Sequence, residues 1–326
     1  MSKRLAQAII EDLLSLETVL GHQPTQEEYE ARGRYGYLIQ KTFLGGWSSL
    51  LKAIAKRNAA IADQSRQPRL LLFDLETAPM ELQGFGLYDQ NFSVNQIKRD
   101  SFILSFAAKW LGEPAIIYAD LRKDPPGDDT RLLKVLWGLL DQADIVITQN
   151  GKSFDEKVAN ARFVVKGLPP TRPYKHIDTK LLAKRRFRFP SNSLEYLANA
   201  LGVDVKKGAH KKFPGFELWK EVLLNNQEAW EEMRAYNVAD VLALEGVYLK
   251  LRGWGTPGVN LNLFKSEARY CCESCGGTNL KLDGTDVKTS GRYVAFQCQD
   301  CGRWGAKKGS GNNLFSEVKK GSLRGP

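Results

Sequence analysis

Arg69-Leu70-Leu71-Leu72-Phe73-Asp74-Leu75-Glu76-Thr77 is the stretch from which the fold can be read. Large apolar residues in succession, ending abruptly in acid, predict a central strand buried on both faces. Residues two apart on a strand point to the same side, so Asp74 and Glu76 can present their carboxylates together at its C-terminal end. Two anions side by side repel, and at least one pKa rises unless a cation lies between them. A hard divalent ion with oxygen ligands, Mg²⁺ or Mn²⁺, resolves that repulsion. The plainer reading is an Asp-x-Glu that caps a loop.

The 326 residues suffice for one large domain with appendages or for two or three domains, and the apolar and charged fractions are those of a soluble globular protein. No apolar run approaches the length of a membrane span, and Met1-Ser2-Lys3-Arg4 leads into an acid-bearing segment rather than a signal-peptide core. A cytoplasmic protein with no membrane partner is expected. The net charge of +10 favours a polyanionic partner. It is distributed as +2 over residues 1–66, +3 over 67–252 and +5 over 253–326. All five cysteines lie in that last segment.

Upstream of the strand, Leu5, Ile9, Leu13, Leu16 and Leu20 recur at spacings of three and four and predict an amphipathic helix. Thr25 followed by Glu28 forms a capping-box pattern for a second helix, and Gly45-Gly46-Trp47 opens a third. The order Pro24-Thr25, Glu27-Glu28-Tyr29, Phe43, Gly45-Gly46-Trp47 and Leu50-Leu51-x-Ala53 resembles the small helical repeat beside some homing endonucleases. That resemblance implies a DNA-binding module; a plain three-helix packing module is the alternative. Downstream, residues 102–111 and 115–118 predict strands that form a meander with the first. A helix follows with Leu132, Leu133, Leu136, Leu139 and Leu140 on one stripe, then a short buried strand over residues 145–148. Asn150-Gly151 predicts a tight turn, with Asp155 in the first turn of a helix, where the dipole favours an acid in any case. A long helix over about 226–251 carries Tyr236 and Asp240 on one face. Strands followed by strand–helix alternation predict a mixed sheet with helices packed on it.

Three motifs now stand in order: Asp74-x-Glu76, Asn150-Gly-x-x-Phe-Asp155 and Tyr236-x-x-x-Asp240. Together they resemble the exonuclease motifs of the DEDD superfamily, in its tyrosine-bearing subgroup, over about residues 69–252. His176-x-Asp178-Thr179 and Ser193-Leu194-Glu195-Tyr196-Leu197 sit where that family often has such segments. The resemblance implies an α/β, RNase H-like fold and metal-dependent 3′–5′ hydrolysis of phosphodiesters with two Mg²⁺ or Mn²⁺ ions, which activate a water and stabilise the leaving oxygen. It further implies that Asp74 bridges both ions, that Glu76 and Asp240 complete one, and that Asp155 supports the other largely through water. Tyr236 would orient the attacking water; its ordinary pKa near 10 makes it a poor base unless lowered.

Lys180, Lys184, Arg185, Arg186 and Arg188, interleaved with Phe187 and Phe189, are followed by Lys206, Lys207, Lys211 and Lys212. Cations that track phosphates beside aromatic faces that stack on bases suit single-stranded nucleic acid, with DNA favoured over RNA; ordinary solvated lysines are the alternative. Cys272-x-x-Cys275-Gly276 and Cys298-x-x-Cys301-Gly302 match a tetrahedral, all-cysteine Zn²⁺ site and resemble a zinc ribbon, with disulfides as the alternative. Cys271 could replace Cys272 as ligand or remain a free thiol.

The expected organisation is a helical module over 1–66, an exonuclease domain over 67–252, a zinc ribbon over 253–310 and a basic tail over 311–326. The rival readings are a non-catalytic nucleic-acid-binding or scaffolding protein on the same fold, and a structure-dependent endonuclease.

Overall fold

A computed structural model describes residues 3–43, 45–65, 67–86, 88, 91–204, 212–255, 260–264 and 270–307. The expectations for the basic tail and for Lys206, Lys207 and Lys211 fall outside these residues. The chain divides into two compact units, one built on the helices that precede Arg69 and one on all the strands and the remaining helices.

The first unit contains α1 (Lys3–Leu20), α2 (Gln26–Arg32), α3 (Ile39–Thr42) and α4 (Gly46–Ser65). The helical periodicity of α1 delivers Ile9 and Leu13 to a core shared with Tyr29, Ile39, Leu50 and Ile54. The capping box is made: Thr25 Oγ1 accepts from the Glu28 N–H, and the Glu28 carboxylate accepts from the Thr25 N–H at 2.8 Å. The short α3 is an addition to the three expected helices.

In the second unit, β1 (Leu70–Thr77) is the middle strand of a five-stranded mixed sheet. After a small β2 (Glu81–Leu82) and β3 (Ile97–Arg99) pair come β4 (Ile103–Trp110) and β5 (Ile116–Asp120). Helix α5 (Thr130–Gln142), β6 (Ile145–Thr148), α6 (Asp155–Val165) and β7 (Lys175–Asp178) complete the alternation. The sheet order is β5-β4-β1-β6-β7, antiparallel from β5 to β1 and parallel from β1 to β7. Every residue of β4 is buried, as a strand covered on both faces requires. Odd-numbered Leu71, Phe73 and Leu75 of β1 join one core with Leu132, Leu133, Leu136 and Leu140 of α5. The even-numbered residues face the other way, toward α10 (Gln227–Leu251), which packs on β1 and β4. Short helices α7 (Thr179–Arg186), α8 (Leu194–Ala200) and α9 (Glu217–Leu223) precede it.

Two internal ion pairs hold these layers. Lys109 of β4, only 6% exposed, reaches Glu245 of α10 at 2.6 Å. Asp129, fully buried before α5, accepts two bonds from the Arg162 guanidinium of α6 at 2.8 Å each and one from the Ile103 N–H. The chain ends its described part in a three-stranded sheet of β8 (Leu280–Lys288), β9 (Gly291–Cys298) and β10 (Trp304–Lys307). Among the described residues no helix is long and apolar enough to cross a membrane.

Removing the cation from a buried bidentate pair leaves an uncompensated carboxylate, at a cost of roughly 3–5 kcal/mol. Arg162→Leu should therefore lower unfolding free energy by about that amount in urea titration. A loss below about 1 kcal/mol would show that Asp129 does not depend on this partner.

Candidate active site

Asp74 and Glu76 occupy the acidic end of β1 on the face toward α10, where Asp240 meets them. Carboxylate oxygens from these three residues lie within 4.8 Å of one another. Burial pushes the Asp74 carboxyl well above the usual range, and the charges of Asp155, Glu76 and Asp240 push it further. The set is three hard oxygen anions gathered where water is largely excluded, a donor chemistry that fits Mg²⁺ or Mn²⁺ and not a soft ion.

Asp155 arrives by a separate route. Asn150 adopts φ 69°, and the next residue must be glycine because a Cβ there would meet Thr148 Oγ1 at 2.2 Å. Asp178 braces the turn, accepting from the Asn150 and Lys152 N–H groups at 3.1 and 3.2 Å. His176 lies 2.8 Å from both Thr148 Oγ1 and Glu156 Oε2, so this histidine supports the turn rather than the site. Asp155 then directs Oδ1 to the Leu75 N–H at 3.1 Å. β1 pairs with β6 only through Leu72, so the carboxylate satisfies a backbone group on the strand edge that β6 leaves open. Burial raises its pKa to about 6 against the lowering effect of that bond. Asp155 thus belongs to the charged neighbourhood of Asp74 while standing outside the tight three-carboxylate group.

Tyr236 lies one turn before Asp240. Its hydroxyl pKa is raised, first by burial and then by Asp240, Glu76 and Asp74. Burial and the neighbouring carboxylates thus favour the protonated phenol, a hydrogen-bond donor. Asn237 was not anticipated as a site residue. Fully buried, its amide donates to Asp74 Oδ2 at 2.8 Å and to the Asp74 carbonyl at 3.2 Å, while its Oδ1 accepts from Ser105 Oγ at 3.3 Å. Its signal in the sequence was its helical phase: a polar residue three before Asp240 and four before Val241, on the sheet-facing stripe.

Of the expected nucleic-acid contacts, Lys184, Arg185, Arg186 and Arg188 are exposed on and after the last turn of α7, and Lys180 is half-buried in its first. Phe187 and Phe189 stack at 5.1 Å between ring centres. Lys212 rests on Glu228, which partly spends its charge.

The second candidate centre gathers Cys272, Cys275, Cys298 and Cys301, all four sulfurs within 4.8 Å of one another. Cys272–Cys301 and Cys275–Cys298 are separated by 3.7 and 3.6 Å, too far for disulfides. They match the edge of about 3.8 Å of a tetrahedron with Zn–S bonds near 2.3 Å. Gly276 and Gly302 take φ 72° and 73° and return their N–H groups to the Cys272 and Cys298 carbonyls. Ser274 and Gly277 N–H groups point at the Cys272 and Cys275 sulfurs at 3.4 Å each. Cys271 is held elsewhere, with its sulfur 3.1 Å from Asn262 Oδ1, so Cys272 is the member of the cluster.

Residues 93–252 match the family model of the RNase_H superfamily, a span that holds Asp155, Tyr236 and Asp240 but begins after the two acids of β1. The core is an RNase H-like mixed α/β fold, accompanied by a cysteine cluster compatible with a zinc ribbon. No curated protein matches the sequence. Among solved structures, the family B DNA polymerase of the hyperthermophilic archaeon Pyrobaculum calidifontis is similar at 13% identity with a TM-score of 0.42. The match covers 71% of this chain and 32% of that one, so the chain spans about a third of the polymerase.

The Asp155 carboxyl is harder to ionise in the fold than in the unfolded chain, so its charge costs stability as pH rises from about 4 through about 6. In chelator at pH 7.5, Asp155→Asn, which keeps an acceptor for Leu75, should be more stable than the parent by on the order of 1–3 kcal/mol. The gap should narrow as pH falls below 6; a parent more stable than the variant at pH 7.5 would contradict this. For the sulfur cluster, elemental analysis of fresh protein should find one zinc per chain, lost in Cys298→Ser while the main sheet stays folded.

Proposed function

We propose that the protein is a metal-dependent nuclease that removes nucleotides from the 3′ end of a single strand, with DNA favoured over RNA. The observation that carries this reading is the convergence of Asp74, Glu76 and Asp240 within 4.8 Å at the end of the central strand, beside buried Asp155. The match to the RNase_H superfamily supports nuclease chemistry in general. The 3′–5′ polarity and the use of two ions come from the resemblance of the three motifs to tyrosine-bearing DEDD exonucleases.

Asp74, Glu76 and Asp240 would hold the first divalent cation, and Asp74 with Asp155 the second. Such ions supply charge neutralisation and acidify a bound water. The residues themselves do the rest. Asn237 fixes the Asp74 carboxylate through Oδ2, so its remaining oxygen has a set direction. Tyr236 would orient water or a phosphate oxygen by donation from its hydroxyl. The exposed cations of α7 supply phosphate attraction, and the sulfur cluster would hold a structural zinc. The helical module over residues 1–66 would add affinity for long substrates and take no part in chemistry.

Cleavage of a 3′-labelled single strand in Mg²⁺ tests the proposal, with a 5′-labelled strand and a covalently closed circle as controls. Asp74→Ala should cost several orders of magnitude, Tyr236→Phe about tenfold, or about 1.4 kcal/mol of barrier. Wild-type rates in folded Asp74→Ala, or rates indifferent to chelator, would overturn the assignment. Cutting of the circle would make the protein an endonuclease, and strand binding without cleavage would make it a scaffold.

A further inference from the structure

The described residues enclose a second charged recess, which runs from the turn before Asp155 to the far end of α10. It is a cavity of about 300 Å³ between the start of β7, helix α7, the C-terminal end of α10 and the first cysteine pair. Lys152, Lys175, Arg185, Arg186 and Arg252 are on its walls. Among the described residues its one lining carboxylate, Asp178, is already engaged by the N–H groups of Asn150, Lys152 and Leu181. Arg252 is the cation the fold positions most firmly. It closes α10, its carbonyl accepts from Ser274 Oγ at 2.8 Å, and its Nε is buried with no hydrogen-bond partner among the described residues. A buried guanidinium N–H left unpaired beside four other cations calls for an anionic oxygen.

A row of rings leads away from this recess. Trp254, 66% exposed and adjacent to wall residue Gly255, stands 5.5 Å from Phe187. Phe187 is 5.1 Å from Phe189, and Phe189 is 6.4 Å from Tyr196. The segment that carries Phe189 is tied at the Asn192 carbonyl to Gln149, which follows the last residue of β6. That is the end of the parallel strands at which the acids of β1 lie. Along α10, Asp240 and Arg252 are twelve residues apart, roughly 18 Å.

We propose that this cavity is a phosphate-binding subsite for the strand whose end lies at the carboxylates, several nucleotides away, with the ring row stacking on the intervening bases. The assignment rests on the nuclease reading for its choice of strand. Its chemistry is a phosphate ester held by Arg and Lys, and bases held by exposed rings. The substrate is thereby read over a length, not only at its terminus.

Binding in the Asp74→Ala background separates this inference from cleavage. Fluorescence anisotropy with dye-labelled single strands of 3 to 15 nucleotides should show affinity climbing steeply with length. In Arg185→Gln/Arg186→Gln the climb should shrink about tenfold, and the slope of log affinity against log salt should fall by about one to two. Trp254→Ala, at an exposed ring, should weaken long strands several-fold with an unchanged salt slope. Thermal midpoints equal to the parent's establish that these surface variants are folded. Strands with and without a 5′-phosphate distinguish a terminal phosphate from an internal diester as the group in the cavity, and either answer keeps the subsite. A climb and salt slope identical in parent and variants would overturn it, as would affinity independent of length. Cleavage of the trimer by unmodified protein, scored separately, reports on the nuclease reading alone.

Discussion

One face of one strand carries both the apolar packing and the acidic cluster of this molecule. Leu70, Leu72, Asp74 and Glu76 share the side of β1 that meets α10, because alternate residues of a strand must point the same way. The apolar pair lies in the interior and the acidic pair follows on the same line, so the acids are partly stripped of water by the same packing that stabilises the sheet. The partner helix cannot retreat from them, since its own Val241, Leu244 and Val247 are buried. Repulsion among Asp74, Glu76 and Asp240 is therefore built in, and it raises the Asp74 pKa.

Other contacts oppose that repulsion. Asn237 places a donor against Asp74 one helical turn before Asp240, and the Lys109–Glu245 pair pins α10 to β4 two turns further on. On the opposite edge, Asp155 replaces the strand partner that β1 lacks beyond Leu72. The last of these has a double effect. The bond to Leu75 immobilises Asp155, and its burial brings a fourth carboxylate into the field of Asp74. A divalent cation among these carboxylates would relieve their repulsion.

The cysteine cluster repeats this logic with softer atoms. Four sulfurs, brought to tetrahedral spacing by two glycine-dependent turns, stand in a small sheet whose own core is little more than Leu280, Phe296 and the cysteines themselves. Such a unit has too few apolar contacts to fold on burial alone. Its junction with the main sheet is also where Ser274 holds the end of α10, so the cluster bears on the position of Arg252 and hence on the charged recess.

Much of this was legible in the residues. The apolar run that ends at Asp74, the Asn150-Gly151 turn, the stripe of α5 and the two Cys-x-x-Cys pairs are local patterns, and local sterics and periodicity determine their form. The capping box at Thr25 and the positive φ of Gly276 and Gly302 are of the same kind. Tertiary structure decided what depends on residues far apart in sequence. The grouping of Asp74, Glu76 and Asp240, with Asp155 at one side, required the register of β1 against β6 and the seat of α10. Asn237 came to orient the Asp74 carboxylate only because Asp74 lies opposite it, 163 positions away in the chain. The choice of Cys272 over Cys271 followed from which sulfur faces the second pair and which faces Asn262. Burial in turn raised the Tyr236 pKa, where the sequence left its direction open. A side chain's charge state depends on the solvent it has lost and the charges it has met, and only the folded chain sets both.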